Sequence, residues 1–132
     1  DFGMIFKGMD VVLLNLQYGD VQEEIDEFTQ ATGIEVLQCK SVDNREDLDG
    51  LAALIELCDL VVSTRNITIH LAGALGKETW VFMNYVTSFY WLLDRTDSIW
   101  YPTLRLYRQK TLDDWGGVLS NIHQDLEKKF GE

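Results

Sequence analysis

The residues best able to hold a small anion are Ser63-Thr64-Arg65-Asn66 and the start of the segment that follows, Ile67-Thr68-Ile69-His70. Asparagine is a strong helix N-cap. The N–H groups just beyond it, on Ile67 and Thr68, then have no acceptor inside the helix, and the helix dipole adds partial positive charge there. Thr68 adds a hydroxyl and Arg65 a guanidinium. The chemistry such a set can do is phosphate binding. The elements that must position it are legible on both sides. Leu60, Val61 and Val62 form a β-branched-rich apolar run, expected as a strand buried on both faces. Ile67, Leu71, Ala74 and Leu75 recur at helical spacing, Gly76 suits the helix C-terminus, and Thr79 to Met83 is apolar again.

The same alternation runs through the chain. Val11 to Gln17 reads as a strand with Tyr18-Gly19-Asp20 as its exit turn, Gly19 taking φ > 0. Val21 to Thr32 reads as a helix ended by Gly33, with Val21, Ile25 and Phe28 inward. Ile34 to Gln38 is a second strand and Asn44 to Cys58 a second helix. Residues 84–103 are aromatic-rich, hold the only proline, Pro102, and carry a helical patch around Trp91 to Arg95. Leu104 to Arg108 reads as the last strand. Leu112 to Phe130 is a closing amphipathic helix, acidic at its start and basic at its end. Strands alternating with helices imply an α/β fold: a single Rossmann-like doubly wound domain over residues 1–132, its mainly parallel sheet flanked by helices. Such sheets bind ligands beyond the strands' C-terminal ends. Those ends carry Gln17-Tyr18-Gly19, Cys39-Lys40-Ser41, Thr64-Arg65-Asn66 and Asn84-Tyr85.

Composition narrows the function further. With 22 acidic and 11 basic residues the net charge is −11, which argues against general binding to nucleic acid or anionic lipid. No apolar run is long enough for a membrane span. No signal peptide is apparent, and a first residue other than Met reads as a fragment of a longer protein. Cys39 and Cys58 show no CxxC spacing and read as reduced thiols of a cytoplasmic protein. Two histidines, His70 and His123, support no dedicated metal site. No Ser-His-Asp order, paired catalytic carboxylates or Gly-x-Gly-x-x-Gly motif is present, so no catalytic residue is assigned.

Several segments together resemble a known family: LQYGD (16–20), DGLAALIELCDLVVS (49–63), N-x-T-x-HLAGALGK (66–77), WLLDRTDSIWYP (91–102) and LYRQ (106–109) leading into DW (114–115). In this order they resemble the C-terminal, nucleotide-sugar-binding half of GT-B glycosyltransferases. The likeness is to the heptosyltransferase-like group, especially its bacterial members that follow tetratricopeptide repeats (TPR) and are compared with protein O-GlcNAc transferases. The resemblance implies a nucleoside-diphosphate sugar as donor substrate, no metal requirement and inverting-type transfer in the full-length protein. An N-terminal acceptor-binding or TPR domain would supply the acceptor and the general base. Carried onto this chain, Asn66 caps the helix, and the N–H groups of Ile67 and Thr68 face the diphosphate with the Thr68 hydroxyl beside them. Gln17, Tyr18 and Gly19 lie across the cleft near phosphate or sugar, and Asn84 and Tyr85 lie at the next strand end. His70, one turn inside the helix, would contact the donor's phosphate or ribose.

The chain departs from the group at Arg65, where many members have an acidic or small residue. It departs also at Glu78 and Asn84, where many have proline, and at Phe89-Tyr90-Trp91, where an arginine often stands in the middle. Either Arg65 replaces the cation lost near Tyr90, or the protein has drifted from sugar transfer into a non-catalytic structural or protein-interaction role. Each residue also has a structural reading. Asn66 caps with or without ligand, and Arg65 can be a solvated surface cation. His70 can be a satisfied structural histidine, and Gly73 can serve close helix–sheet packing. Trp91, Trp100 and Tyr101 can be core or interface residues. An epimerase of the same architecture fits less well, since no further acid or base residues accompany Arg65 and His70. Apolar surface left by a missing half would favour a homo-oligomer.

Overall fold

A computed structural model of the chain describes residues 2–131; Asp1 and Glu132, the ends of the expected 1–132 domain, lie outside them. Helices alternate with short strands, and every strand ladder is parallel, an α/β arrangement. The chain forms two compact units. One runs through Leu51 and resumes at Leu119; the other is Ala52–Val118. The sequence reading places all strands in one sheet, whereas their ladders form two, of two and three strands.

In the first unit, β1 (Leu13–Leu14) pairs with β2 (Val36–Leu37) across the helix α1 (Gln22–Thr32). Glu23 and Glu24 occupy the first turn of α1, where the dipole favours them. Gly33, at φ 75°, ends the helix and donates its N–H to Thr29 O. Both strands are shorter than the apolar runs Val11–Gln17 and Ile34–Gln38. Past Leu14, side chains take over part of the backbone pairing. Asn15 Oδ1 accepts the Gln17 N–H, and the Asn44 amide donates to Gln17 O at 2.9 Å. A 3-10 helix, Phe2–Phe6, which the periodicity does not reveal, buries Ile5 and Phe6.

Two helices begin later than their apolar periodicity predicts. The helix expected from Asn44 is α2 (Leu48–Leu57), because Asp47 acts as its N-cap and takes the Gly50 N–H at 2.8 Å. The closing helix expected from Leu112 is α4 (Trp115–Phe130), with Asp114 Oδ1 accepting the Gly117 N–H. In both cases an aspartate inside the expected span competes for the backbone and sets the boundary.

The second unit holds β3 (Val61–Ser63), β4 (Thr79–Met83) and β5 (Leu104–Arg108), side by side in that order. Val61 lies opposite Thr79, and Thr79 opposite Leu104. All five residues of β4 are buried, as in a parallel sheet's central strand. Alternate residues face opposite ways. Val81, Met83, Leu104 and Leu106 form a core with Ile69 and Trp91. On the other face Trp80 packs on Tyr107, with the Arg105 guanidinium 4.9 Å from the Tyr107 ring centre.

The helix α3 (Ile67–Ala74) packs on β3 and β4. Its buried residues are Thr68, Ile69, Ala72 and Gly73, so the face is rotated from the expected stripe Ile67-Leu71-Ala74-Leu75. Ile67 is 56% and Leu75 39% exposed. Ala72 is fully buried and Gly73 leaves room for the Tyr101 ring, and close packing at these small residues outweighs the larger apolar residues on the neighbouring face. Between β4 and β5 the expected helical patch at Trp91–Arg95 is absent. A single 3-10 turn, Phe89–Trp91, stands instead, and Leu92 and Asp94 take positive φ of 56° and 57°, which a continuing right-handed helix forbids. Among the described residues no helix is long and apolar enough to cross a membrane.

Candidate anion-binding cleft

Beyond the C-terminal ends of β3 and β4 lies a surface cleft of about 350 Å³. The turn after β3 and the start of α3 contribute Arg65, Asn66, Ile67 and His70 to it; the segment after β4 contributes Ser88, Tyr90 and Trp91. Four of the residues expected from sequence are therefore brought together. Asn66 is in extended conformation and caps α3, its Oδ1 accepting the Ile69 N–H at 3.4 Å while its Nδ2 donates to Ser63 Oγ at 2.9 Å. Its side chain is thus committed to shaping the turn. The Ile67 and Thr68 N–H groups have no partner within the helix.

Thr68 departs from expectation at the side chain. It is buried and does not line the cleft, because it lies on the face of α3 turned to the sheet. His70 is half-buried. Its Nδ1 is 3.1 Å from Tyr101 Oη, and its ring centre is 5.6 Å from that of Trp91. Gly73 does allow a close approach, but to Tyr101 rather than to the sheet. A β-carbon on it would come within 2.5 Å of Tyr101 Cγ.

Arg108, at the end of β5, is a residue that motif reasoning missed. Its Nη1 donates to Thr87 Oγ1 at 3.0 Å and its Nη2 to Leu92 O at 2.9 Å, while its buried Nε has no hydrogen-bond partner among the described residues. The guanidinium therefore ties β5 to the segment that carries Ser88, Tyr90 and Trp91, and holds the carbonyl of Leu92, whose backbone is strained. Burial pulls the Arg108 pKa below the usual arginine range; Asp94 opposes this and the nearby charge of Arg65 adds to it. An arginine stays protonated through such a shift, so two cations face each other's field here. Only its place within LYRQ signalled Arg108 beforehand. Ser88 had no signal at all.

The remaining expected residues are elsewhere. Asn84 and Tyr85 are exposed at the end of β4 and do not line the cleft; the Tyr85 N–H donates to Gln109 Oε1 at 2.9 Å. Gln17, Tyr18 and Gly19 belong to the first unit and are exposed. Gly19 takes φ 87°, which the turn requires, and the Arg45 guanidinium lies 5.9 Å from the Tyr18 ring centre. A larger concavity of about 510 Å³ in that unit is lined by Asp20, Glu23, Asp26 and Glu27 with Gln22 and Gln30, the wrong sign of charge for a phosphate. Cys39 and Cys58 are both free. Among the described residues no three His, Cys, Asp or Glu side chains converge as a metal site.

The chain is 38% identical over 112 residues to Protein FlbA of Caulobacter vibrioides, a stretch that is 85% of this chain and 18% of FlbA. The chain therefore spans less than a fifth of that relative's length. No family model and no solved structure matches it.

Proposed function

We propose that Ala52–Val118 binds the phosphate portion of a nucleoside-diphosphate sugar, as part of a Rossmann-like donor-binding half of a GT-B glycosyltransferase. The observation that carries this reading is the convergence of Arg65, the capped start of α3 and His70 in one cleft with Tyr90; the charge of Arg65 also reaches Arg108 at the end of β5. Tyr90 occupies the position where the resembled group often carries arginine. Its sharing a cleft with Arg65 favours compensation: a cation supplied from the α3 side in place of one lost from the loop. Helix N–H groups and the Arg65 guanidinium stabilise a leaving diphosphate without calling on a metal. The full-length protein, in this reading, is a cytoplasmic TPR-associated transferase, and its N-terminal region brings the acceptor and general base. Similarity to a stretch that is only 18% of FlbA supports placing the chain inside a longer protein.

Calorimetric titration of the 132-residue chain with UDP, GDP and ADP tests this. One of them saturates the chain, and Arg65→Ala weakens that binding about 10-fold or more, the value of a charge-assisted hydrogen bond. No saturable binding of any of the three would sink the reading. A non-catalytic interaction module is the second reading. It is favoured by exposed apolar side chains in the 84–103 segment, Val86 at 71%, Phe89 at 88% and Leu93 at 67%. That reading expects no binding and no effect of Arg65→Ala.

A further inference from the structure

We propose that Tyr101 is a positioning residue: its hydroxyl donates to His70 Nδ1, fixes the imidazole as the Nε2–H tautomer and leaves that N–H to face an anion in the cleft. The positioning stands on geometry alone; its effect on a ligand rests on the donor-binding reading above.

His70 lines the cleft, and its Nδ1 is taken up 3.1 Å from Tyr101 Oη. The ring is confined on two sides, by Trp91 at 5.6 Å with 36° between the planes and by Tyr101 at 5.6 Å, edge-on. Nε2 is the ring nitrogen left for the cleft. Hydrogen bonding at one imidazole nitrogen decides which nitrogen carries the proton. A phenol has a single proton to donate, and among the described residues His70 Nδ1 is the hydrogen-bond partner found for Tyr101 Oη. Donation from Tyr101 uses that proton and makes Nε2 a donor. The reverse arrangement leaves the phenol proton idle and turns a lone pair toward the cleft, where it would repel phosphate oxygen.

The placement of Tyr101 is built in. Gly73 lies three residues after His70 on α3, and the Tyr101 ring occupies the space its missing side chain leaves. Ser98, itself buried, accepts the Tyr101 N–H at 3.2 Å and anchors that turn. Gly73, Tyr101 and His70 thus act in series, and only the last reaches the cleft.

The test is a long-range ¹H–¹⁵N correlation spectrum of the labelled chain at about pH 8, above the ordinary imidazole titration. The spectrum has an internal contrast. His123 Nδ1 lies 2.9 Å from Ile5 O, a group that can only accept, and its Nε2 lies 3.5 Å from a Glu127 carboxylate oxygen. The closer partner favours the opposite, Nδ1–H, form, and Glu127→Gln sharpens the contrast. His70 is expected in the Nε2–H form, and Tyr101→Phe, which keeps the ring on Gly73, converts it to a mixture. Gly73→Ala, which displaces Tyr101 with its hydroxyl intact, does the same. Tyr101→Phe also raises the Kd for UDP about 2- to 10-fold. A wild-type His70 in the Nδ1–H form, or a tautomer unmoved by Tyr101→Phe, overturns the proposal whatever UDP does. The expected tautomers with no UDP binding to wild type uphold the positioning and overturn the donor-binding reading instead.

Discussion

At the scale of single residues, the cleft separates side chains that shape a turn from side chains that can meet a ligand. Asn66 spends its amide on Ile69 and Ser63, so its contribution is conformational. Among the described residues Arg65 makes no comparable commitment in shaping the turn; it is exposed in the cleft beside the capped helix start, where a cation opposes the helix dipole and the proposed phosphate would offset that cost. Thr68 is the residue whose expected role changes most. Sequence spacing gives it a phosphate-facing hydroxyl, but it is only 7% exposed. Thr68→Val is therefore expected to leave UDP affinity within about 2-fold of wild type, since the variant keeps the N–H proposed to meet the phosphate. Thr68→Ser, which retains the hydroxyl and removes a buried methyl, lowers stability by roughly 1 kcal/mol in urea unfolding. Loss of binding in the valine variant alone would restore the hydroxyl to the site.

Among the elements, α2 shows how one side chain secures a helix end that falls within a residue of the Cys58 its apolar pattern predicts. Its last carbonyls have no helical donors. Lys77, beyond α3, donates to Glu56 O at 3.1 Å and Cys58 O at 2.8 Å, closing the α2 end with a cation where the dipole favours one. Lys77→Met is expected to cost about 1–2 kcal/mol in denaturant unfolding. Cys58 reports the same contact. Burial pushes its thiol pKa up, Lys77 pulls it down and Asp59 pushes it up. A folded pKa above the unfolded one favours the protonated thiol. This contribution to stability is complete below the unfolded thiol pKa and is lost as pH rises through the folded value. Removing Lys77 moves that loss to still higher pH. Alkylation of Cys58 as a function of pH measures it, and an unchanged or lower midpoint in Lys77→Met would contradict the assignment.

For the molecule as a whole, the strand–turn–helix at 60–75 was legible because its signals are local: a β-branched run, a strong cap, helical spacing. The parallel pairing was legible from the alternation of elements. The extent of β1 and β2 was not, since apolar runs do not say which backbone groups a neighbouring strand will pair and which Asn15 and Asn44 will take. The face of α3 was misread because Ala72 and Gly73 carry little hydrophobic signal, although they set the closest packing. The half of the cleft built from Ser88, Tyr90 and Trp91 depends on a long return of chain between β4 and β5, and no local pattern encodes that. Under the proposed division of labour, the purified 132-residue chain is expected to bind a nucleotide yet transfer no sugar; a radiolabelled-donor assay showing turnover by this chain alone would refute it. Trp91 gives such experiments their own signal. It is 3% exposed, lines the cleft and lies against His70, whereas Trp100 is 58% exposed. An indole so enclosed emits at shorter wavelength than one in water. The cleft therefore carries an intrinsic fluorophore, and a Trp80→Phe background, which removes the other indole buried to 3%, isolates its response to an occupant without any added label.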